Sequence, residues 1–226
     1  MKTNSAQRAI TAELLGTAFL LATIVGSGIM AERLADGNIA IALLANTLAT
    51  SSMLVVLITI FGPVSGAHFN PAVTLAFALR REVRPAIGLA FVGAQLTGAM
   101  LGVLVAHGMF EESPLVFSTT DRSSPGLWFA EGIATFGLLM TILAALRVQP
   151  TAIPWMVGLY IAAAHWFTAS TSFANPAVTI ARSLTDTFSG INPGHAPAFI
   201  AAQLVGAAAA VPVIGWLFSD VSEPEG

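Results

Sequence analysis

The chain has 226 residues, of which 55% are hydrophobic and 9% charged, with a mean hydropathy of +0.79 and a net charge of −3. A soluble domain carries about 25% charged residues, so this composition excludes a fold with water on all sides and points to a membrane. Nine Lys and Arg exclude an electrostatic nucleic-acid surface, and the lack of Cys excludes a disulfide, a thiolate metal site and a cysteine nucleophile.

Six apolar runs follow in order, at roughly 9–30, 39–61, 86–106, 127–147, 152–171 and 197–218. Each is near the ~20 residues that a spanning helix needs. The first follows Lys2 and Arg8 and has the outline of a signal peptide, but Glu13 interrupts its apolar core. Between the second and third runs lies Gly62-Pro63-Val64-Ser65-Gly66-Ala67-His68-Phe69, then Asn70-Pro71-Ala72-Val73-Thr74. A polar, Pro-containing link from Phe110 to Gly126 joins the two halves. After the fifth run, Thr168 to Ala174 leads into Asn175-Pro176-Ala177-Val178-Thr179. The tail from Asp220 to Glu225 reads as solvated and frayed. Six spans put both termini on one side. With the N-terminus inside, Lys2, Arg8, Arg80, Arg81, Arg84 and Arg147 are cytoplasmic, and Arg33, Arg122 and Arg182 are external. That excess satisfies the positive-inside bias.

Three markers recur in the same order in both halves. They are Glu13 and Glu131, the doubled Asn-Pro-Ala-Val-Thr, and the Gln95 segment (Phe91 to Ala99) matched by the Gln203 segment (Phe199 to Ala207). Three spans per unit invert the second repeat relative to the first, an arrangement typical of membrane transport proteins. The expectation is one all-α transmembrane domain over 1–226, with inverted repeats at about 1–110 and 127–226.

Asn is a preferred N-cap and Pro is favoured at the first helical position. Asn-Pro-Ala is therefore a helix-start signal, used twice. The helices that follow, Ala72 to Arg80 and Ala177 to Leu184, are too short to span a bilayer. They read as half-helices entering from opposite faces with their N-termini near the midplane. Non-helical backbone at that depth is tolerated only where it is buried in protein or lines a watery cavity, so a lumen is implied. Both helix N-termini would present partial positive charge to it, and the capping Asn amides would be free to face a passing molecule. Such a lumen orients neutral polar solutes and repels cations.

Ser65 to Thr74 resembles the first signature loop of the aquaporin (major intrinsic protein) family, and Glu13, Glu131, Gln95 and Gln203 also fall on its pattern. The resemblance covers nearly the whole chain. It implies six transmembrane helices plus two re-entrant half-helices, a homotetramer with one pore per protomer, no cofactor and no metal, and passive conduction of water or small uncharged solutes. It also implies a multi-pass cell-membrane protein (inner membrane in a Gram-negative bacterium) with both termini cytoplasmic.

One departure stands out. The family normally places Arg directly after the second Asn-Pro-Ala; here the residue is Val178. Carried over by spacing, the other selectivity-filter positions are Thr50, Ser172 and either Ala163 or His165, of which His165 fits a loop two residues short. Thr50, His165, Ser172 and Val178 make a filter with no aromatic and no Arg, wider than water needs. This set resembles a bacterial branch linked to arsenic detoxification, which implies glycerol-sized solutes or neutral trivalent arsenic species. His68 is expected to line the pore on the cytoplasmic side. Arg182, four residues after Val178 and ~6 Å further out, is expected in the external vestibule, restoring positive potential without narrowing the filter, or else as a solvated or headgroup Arg. Glu13 and Glu131 are costly in a bilayer. They read as acceptors for the re-entrant loop of their own half, with Gln95 and Gln203 as polar glue. The alternatives are a water-selective aquaporin and a proton-coupled transporter using both glutamates. An enzyme is disfavoured, because no metal-spaced His pair or nucleophile pattern is present.

Overall fold

The computed structural model describes residues 3–221, with side chains described from Ser5 onward. Lys2 of the charge count and Ser222 to Glu225 of the acidic tail lie outside the described residues. Eight α-helices are described: α1 (Thr3–Leu34), α2 (Ile39–Ser65), α3 (Pro71–Leu79), α4 (Pro85–Phe110), α5 (Pro125–Val148), α6 (Ile153–Phe167), α7 (Pro176–Arg182) and α8 (Ala196–Leu217). Local chemistry starts them. Asn38 caps α2 by accepting from Ala40 N and Ile41 N at 3.1 and 3.2 Å, and Ser124 caps α5 by accepting from Leu127 N at 3.3 Å. Pro opens α3, α4, α5 and α7, where its missing N–H costs nothing.

The helices α1, α2, α4, α5 and α8 are long and apolar enough to cross a membrane. The sixth, α6, has 15 residues, shorter than the run read at 152–171. It is preceded by a 3-10 turn at Pro150–Ala152 and ends at Phe167, where Thr168 turns extended and the chain becomes a re-entrant loop. The half-helices are Pro71–Leu79, one residue earlier than the sequence suggested, and Pro176–Arg182, slightly shorter than it suggested.

The same pairings recur in both halves. α1 packs on α2 and α4, and α5 packs on α6 and α8. α2 against α6, α3 against α8 and α4 against α7 tie the halves together. Glycines set the closest crossings, two of them at equivalent places in the two halves. A Cβ on Gly98 would collide with Leu14 O of α1, and one on Gly206 would collide with Gly132 O of α5. These are equivalent sites, and any side chain there would force the helices apart. The outward faces are apolar: Leu44, Leu48, Val56 and Ile60 on α2, Leu159 on α6 and Val205 on α8 are exposed. Trp155 and Trp166, near opposite ends of α6, are exposed too, as expected of rings at a membrane–water boundary. Soluble monomers rarely expose such a belt.

The link between the halves does more than connect them. Val116 N and Ser118 N donate to Leu184 O and Ser183 O, and Asn192 N donates to Thr120 O, so the link lies along the α7–α8 loop. Buried His107 pins it further, with Nδ1 3.0 Å from Pro114 O and Nε2 2.7 Å from Thr185 Oγ1.

Candidate functional site: a cavity between two half-helices

The half-helices meet end to end through their caps. Asn70 Oδ1 accepts from Ala72 N at 2.8 Å, and Asn175 Oδ1 accepts from Ala177 N and Val178 N at 3.0 and 3.3 Å. Each amide also reaches across the pair. Asn70 Nδ2 donates to Ala174 O at 2.7 Å, and Asn175 Nδ2 donates to Phe69 O at 2.9 Å. This corrects the expectation of free amides. An amide nitrogen has two N–H bonds, and one of each pair is spent locking the halves together.

The loops leading into the caps are strained. Ala67 and Phe69 have φ of 52° and 49°, and their counterparts Ser172 and Ala174 have 51° and 49°. A left-handed conformation costs a non-Gly residue ~1–2 kcal/mol, so something must hold it. Glu13 and Glu131, both fully buried, do so. Glu13 accepts from Ser65 Oγ at 2.6 Å, His68 N at 2.9 Å, Phe69 N at 2.7 Å and Gln95 Nε2 at 2.8 Å. Glu131 accepts from Phe173 N at 2.8 Å, Ala174 N at 2.9 Å and Gln203 Nε2 at 2.6 Å. The two Gln side chains extend the pattern, donating to Thr74 Oγ1 at 3.0 Å and Thr179 Oγ1 at 2.8 Å. Burying a carboxylate is unfavourable unless its oxygens are engaged; here each oxygen is.

A cavity runs past both caps. It gives about 70 Å³ to the centres of water-sized molecules, room for about five waters. Asn70, Asn175, His68, Thr50, His165, Ser172, Val178 and Arg182 all line it. Ala163 is exposed on the outer face of α6, so between the two alternatives it is His165 that reaches the cavity. The His165 Nδ1 lies 2.8 Å from Ile161 O. A carbonyl only accepts, so a neutral ring carries its proton on Nδ1 and keeps Nε2 as an acceptor. Thr50 Oγ1 and Ser172 Oγ are buried without a partner among the described residues, an uncommon state for buried hydroxyls.

Of the two expectations for Arg182, the solvated or headgroup one does not hold: the residue is 6% exposed and part of the cavity wall. Its Nε donates to Ser189 O, and its Cζ lies 3.4 Å from the Phe173 ring centroid. Arg122, from the link, approaches the same ring at 5.1 Å and is fixed by Gly190 O at 2.9 Å and Ser170 O at 3.4 Å. Both guanidiniums are within electrostatic reach of Glu131. Burial lowers the pKa of Arg122 from its usual value, and Glu131 partly opposes this. No signal in the sequence marked Arg122 or Phe173, whose importance arises from contacts distant along the chain.

Among the described residues, no cluster of metal-ligating side chains is present. Residues 1–172 match the protein family described as Major intrinsic protein. The chain is 55% identical over 210 residues to Aquaglyceroporin AqpS of Rhizobium meliloti (strain 1021), covering 93% of this chain and 90% of that one. It is 31% identical over 193 residues to Aquaporin NIP2-3 of Zea mays, covering 80% and 62% respectively. In fold, it resembles the X-ray structure of the aquaglyceroporin from Plasmodium falciparum, with a TM-score of 0.71 at 20% identity over 96% of both chains. The family match, the near full-length relative and the shared fold agree with the cavity geometry: the chain belongs to the major intrinsic protein family of multi-pass membrane channels, and it is not an enzyme.

Proposed function

We propose that the chain is a passive pore for water and for larger uncharged solutes such as glycerol or neutral trivalent arsenic species. Thr50, His165, Ser172 and Val178 form its filter, and His68 lines the opposite approach. One observation carries this reading: those four side chains and both Asn caps face a single cavity, with Val178 at the position where the family pattern has Arg. The free hydroxyls of Thr50 and Ser172 and the Nε2 of His165 offer hydrogen bonds to a polyol, while Val178 offers bulk without polarity. The relative from Rhizobium meliloti carries the name aquaglyceroporin, which favours the same solute class.

The chain acts as one domain over 1–226, with inverted repeats at about 1–110 and 127–226. The matched Glu, Gln and Asn bonds of the two halves support this. It sits in a cell membrane as a homotetramer with both termini cytoplasmic. A narrower reading, a water-selective pore, draws on one observation: Arg182 occupies part of the cavity wall.

Stopped-flow light scattering on one proteoliposome preparation separates these readings. Glycerol and arsenite fluxes above protein-free vesicles, linear in solute gradient, are expected. Val178→Arg should cut both while sparing part of the water flux. Water flux alone would select the narrower reading, and larger-solute flux unchanged by Val178→Arg would remove Val178 from the filter.

A further inference from the structure

We propose that Arg182, held over the Phe173 ring, is the charge-selecting residue of this pore, rejecting cations and protons in place of the Arg that position 178 lacks. This rests on the passive-pore reading above and deepens it.

The two halves supply the first argument. Two residues before Asn70 and seven after it stand His68 and Phe77, whose rings stack with centroids 4.7 Å apart and planes 27° apart. At the same offsets from Asn175 stand Phe173 and Arg182, stacked at 3.4 Å. The fold therefore builds one stacking platform in each half, at equivalent positions on the loop and the half-helix. In the first half the partners are a histidine and a phenylalanine. In the second a guanidinium takes the place of the phenylalanine, so the fixed charge enters on one side of the caps only.

The second argument is that positive charge is in excess. Two guanidiniums, Arg182 and Arg122, share the field of one carboxylate, Glu131. Among the described residues Arg182 has no salt bridge; its Nε is taken by Ser189 O, and the described bonds leave its Nη atoms unengaged. The Arg122 Cζ lies 5.1 Å from the centroid of the same Phe173 ring, so both cations stand on this side of the caps. In the first half, Glu13 has no comparable cation among its partners.

Direction supplies the third argument. Helix side chains lean toward the helix N-terminus. Arg182, one turn beyond Val178, reaches back to Phe173, which precedes the cap, and Arg182 and Val178 line the same cavity. The charge thus acts on the filter cavity while its backbone stands one turn away. Phe173 is the positioning residue. Its backbone N–H is fixed by Glu131, its ring is braced edge-on by Phe199 at 5.3 Å, and the guanidinium carbon lies 3.4 Å from its centroid.

The test uses full-length protein in liposomes, comparing wild type with Arg182→Gln, Arg182→Lys and Phe173→Leu. Proton and Na⁺ leak are read with trapped dyes under an imposed potential, and glycerol flux is read by stopped flow. Arg182→Gln should raise the ratio of cation leak to glycerol flux by about tenfold or more, as removal of a focused charge permits. Arg182→Lys should retain most of the exclusion. Phe173→Leu should leak to an intermediate degree, and it carries the test if Arg182→Gln does not assemble. A glycerol-conducting Arg182→Gln variant with wild-type leak overturns the assignment, as does an unaltered leak in Phe173→Leu. Wild-type vesicles that pass no more glycerol than protein-free ones would instead overturn the passive-pore reading.

Discussion

Replacing Glu131 by Gln removes one acceptor oxygen and puts an NH₂ group in its place. The carboxylate now takes three donors: Phe173 N at 2.8 Å, Ala174 N at 2.9 Å and Gln203 Nε2 at 2.6 Å. A Gln carbonyl can stand where one carboxylate oxygen takes both Ala174 N and Gln203 Nε2, but its amide would then face the N–H of Phe173, donor against donor. One buried donor loses its acceptor, at about 1–3 kcal/mol. That is a shift of roughly 5-fold to 150-fold against the native loop. Strain adds to it, because Ser172 and Ala174 on either side are held at φ of 51° and 49°. The variant should therefore melt earlier in detergent and lose glycerol flux along with folded protein, while the flux that survives stays indifferent to a pH gradient. Glu13→Gln should cost more, since four donors converge there. An unchanged melting midpoint for Glu131→Gln would refute the supporting role. Wild-type uptake that follows a proton gradient and vanishes in the Gln variant would show a proton relay instead.

Two further outcomes are expected. Gly206→Ala should loosen the α5–α8 crossing, since a Cβ would collide with Gly132 O and meet Phe136 N at 3.1 Å; overpacking of this kind costs about 1–3 kcal/mol. The check is thermal stability in detergent, and a fully stable variant would show that the crossing is looser than described. Asp186 accepts from Thr119 N at 2.8 Å and from the Thr119 hydroxyl, which hold its carboxyl below the usual range. A depressed carboxylate stabilises above its unfolded value of ~3.9, and that contribution is lost as pH falls through the lower folded value. Amide exchange in the link should rise over that acidic interval in wild type and be flat in Asp186→Asn. Equal pH profiles in the two would remove Asp186 as an anchor of the link.

Much of the fold was legible because its signals are local. An apolar run of membrane length and an Asn-Pro helix start are contiguous in the chain, and the duplication made the second half readable from the first. The same locality explains the errors. The fifth run was read four residues too far, because Thr168 to Thr171 carries no charge to mark an end, while the backbone beyond it turns to meet Glu131, some 40 residues earlier. The amides of Asn70 and Asn175 were read as free, because the carbonyls they engage belong to the opposite repeat, more than 100 residues away.

By itself the sequence determined the class: an all-α membrane channel with two half-helices, the glutamates that hold their loops, and a Val at the position where an Arg is usual. Only the tertiary structure decided where the Arg182 guanidinium lies relative to it. Position 178 and position 182 differ by one helical turn in sequence, which says where a Cα lies and not where a guanidinium ends. That was decided by the Phe173 ring, Ser189 O and the Arg122 side chain brought in by the link, all contacts that exist only once the two halves are packed.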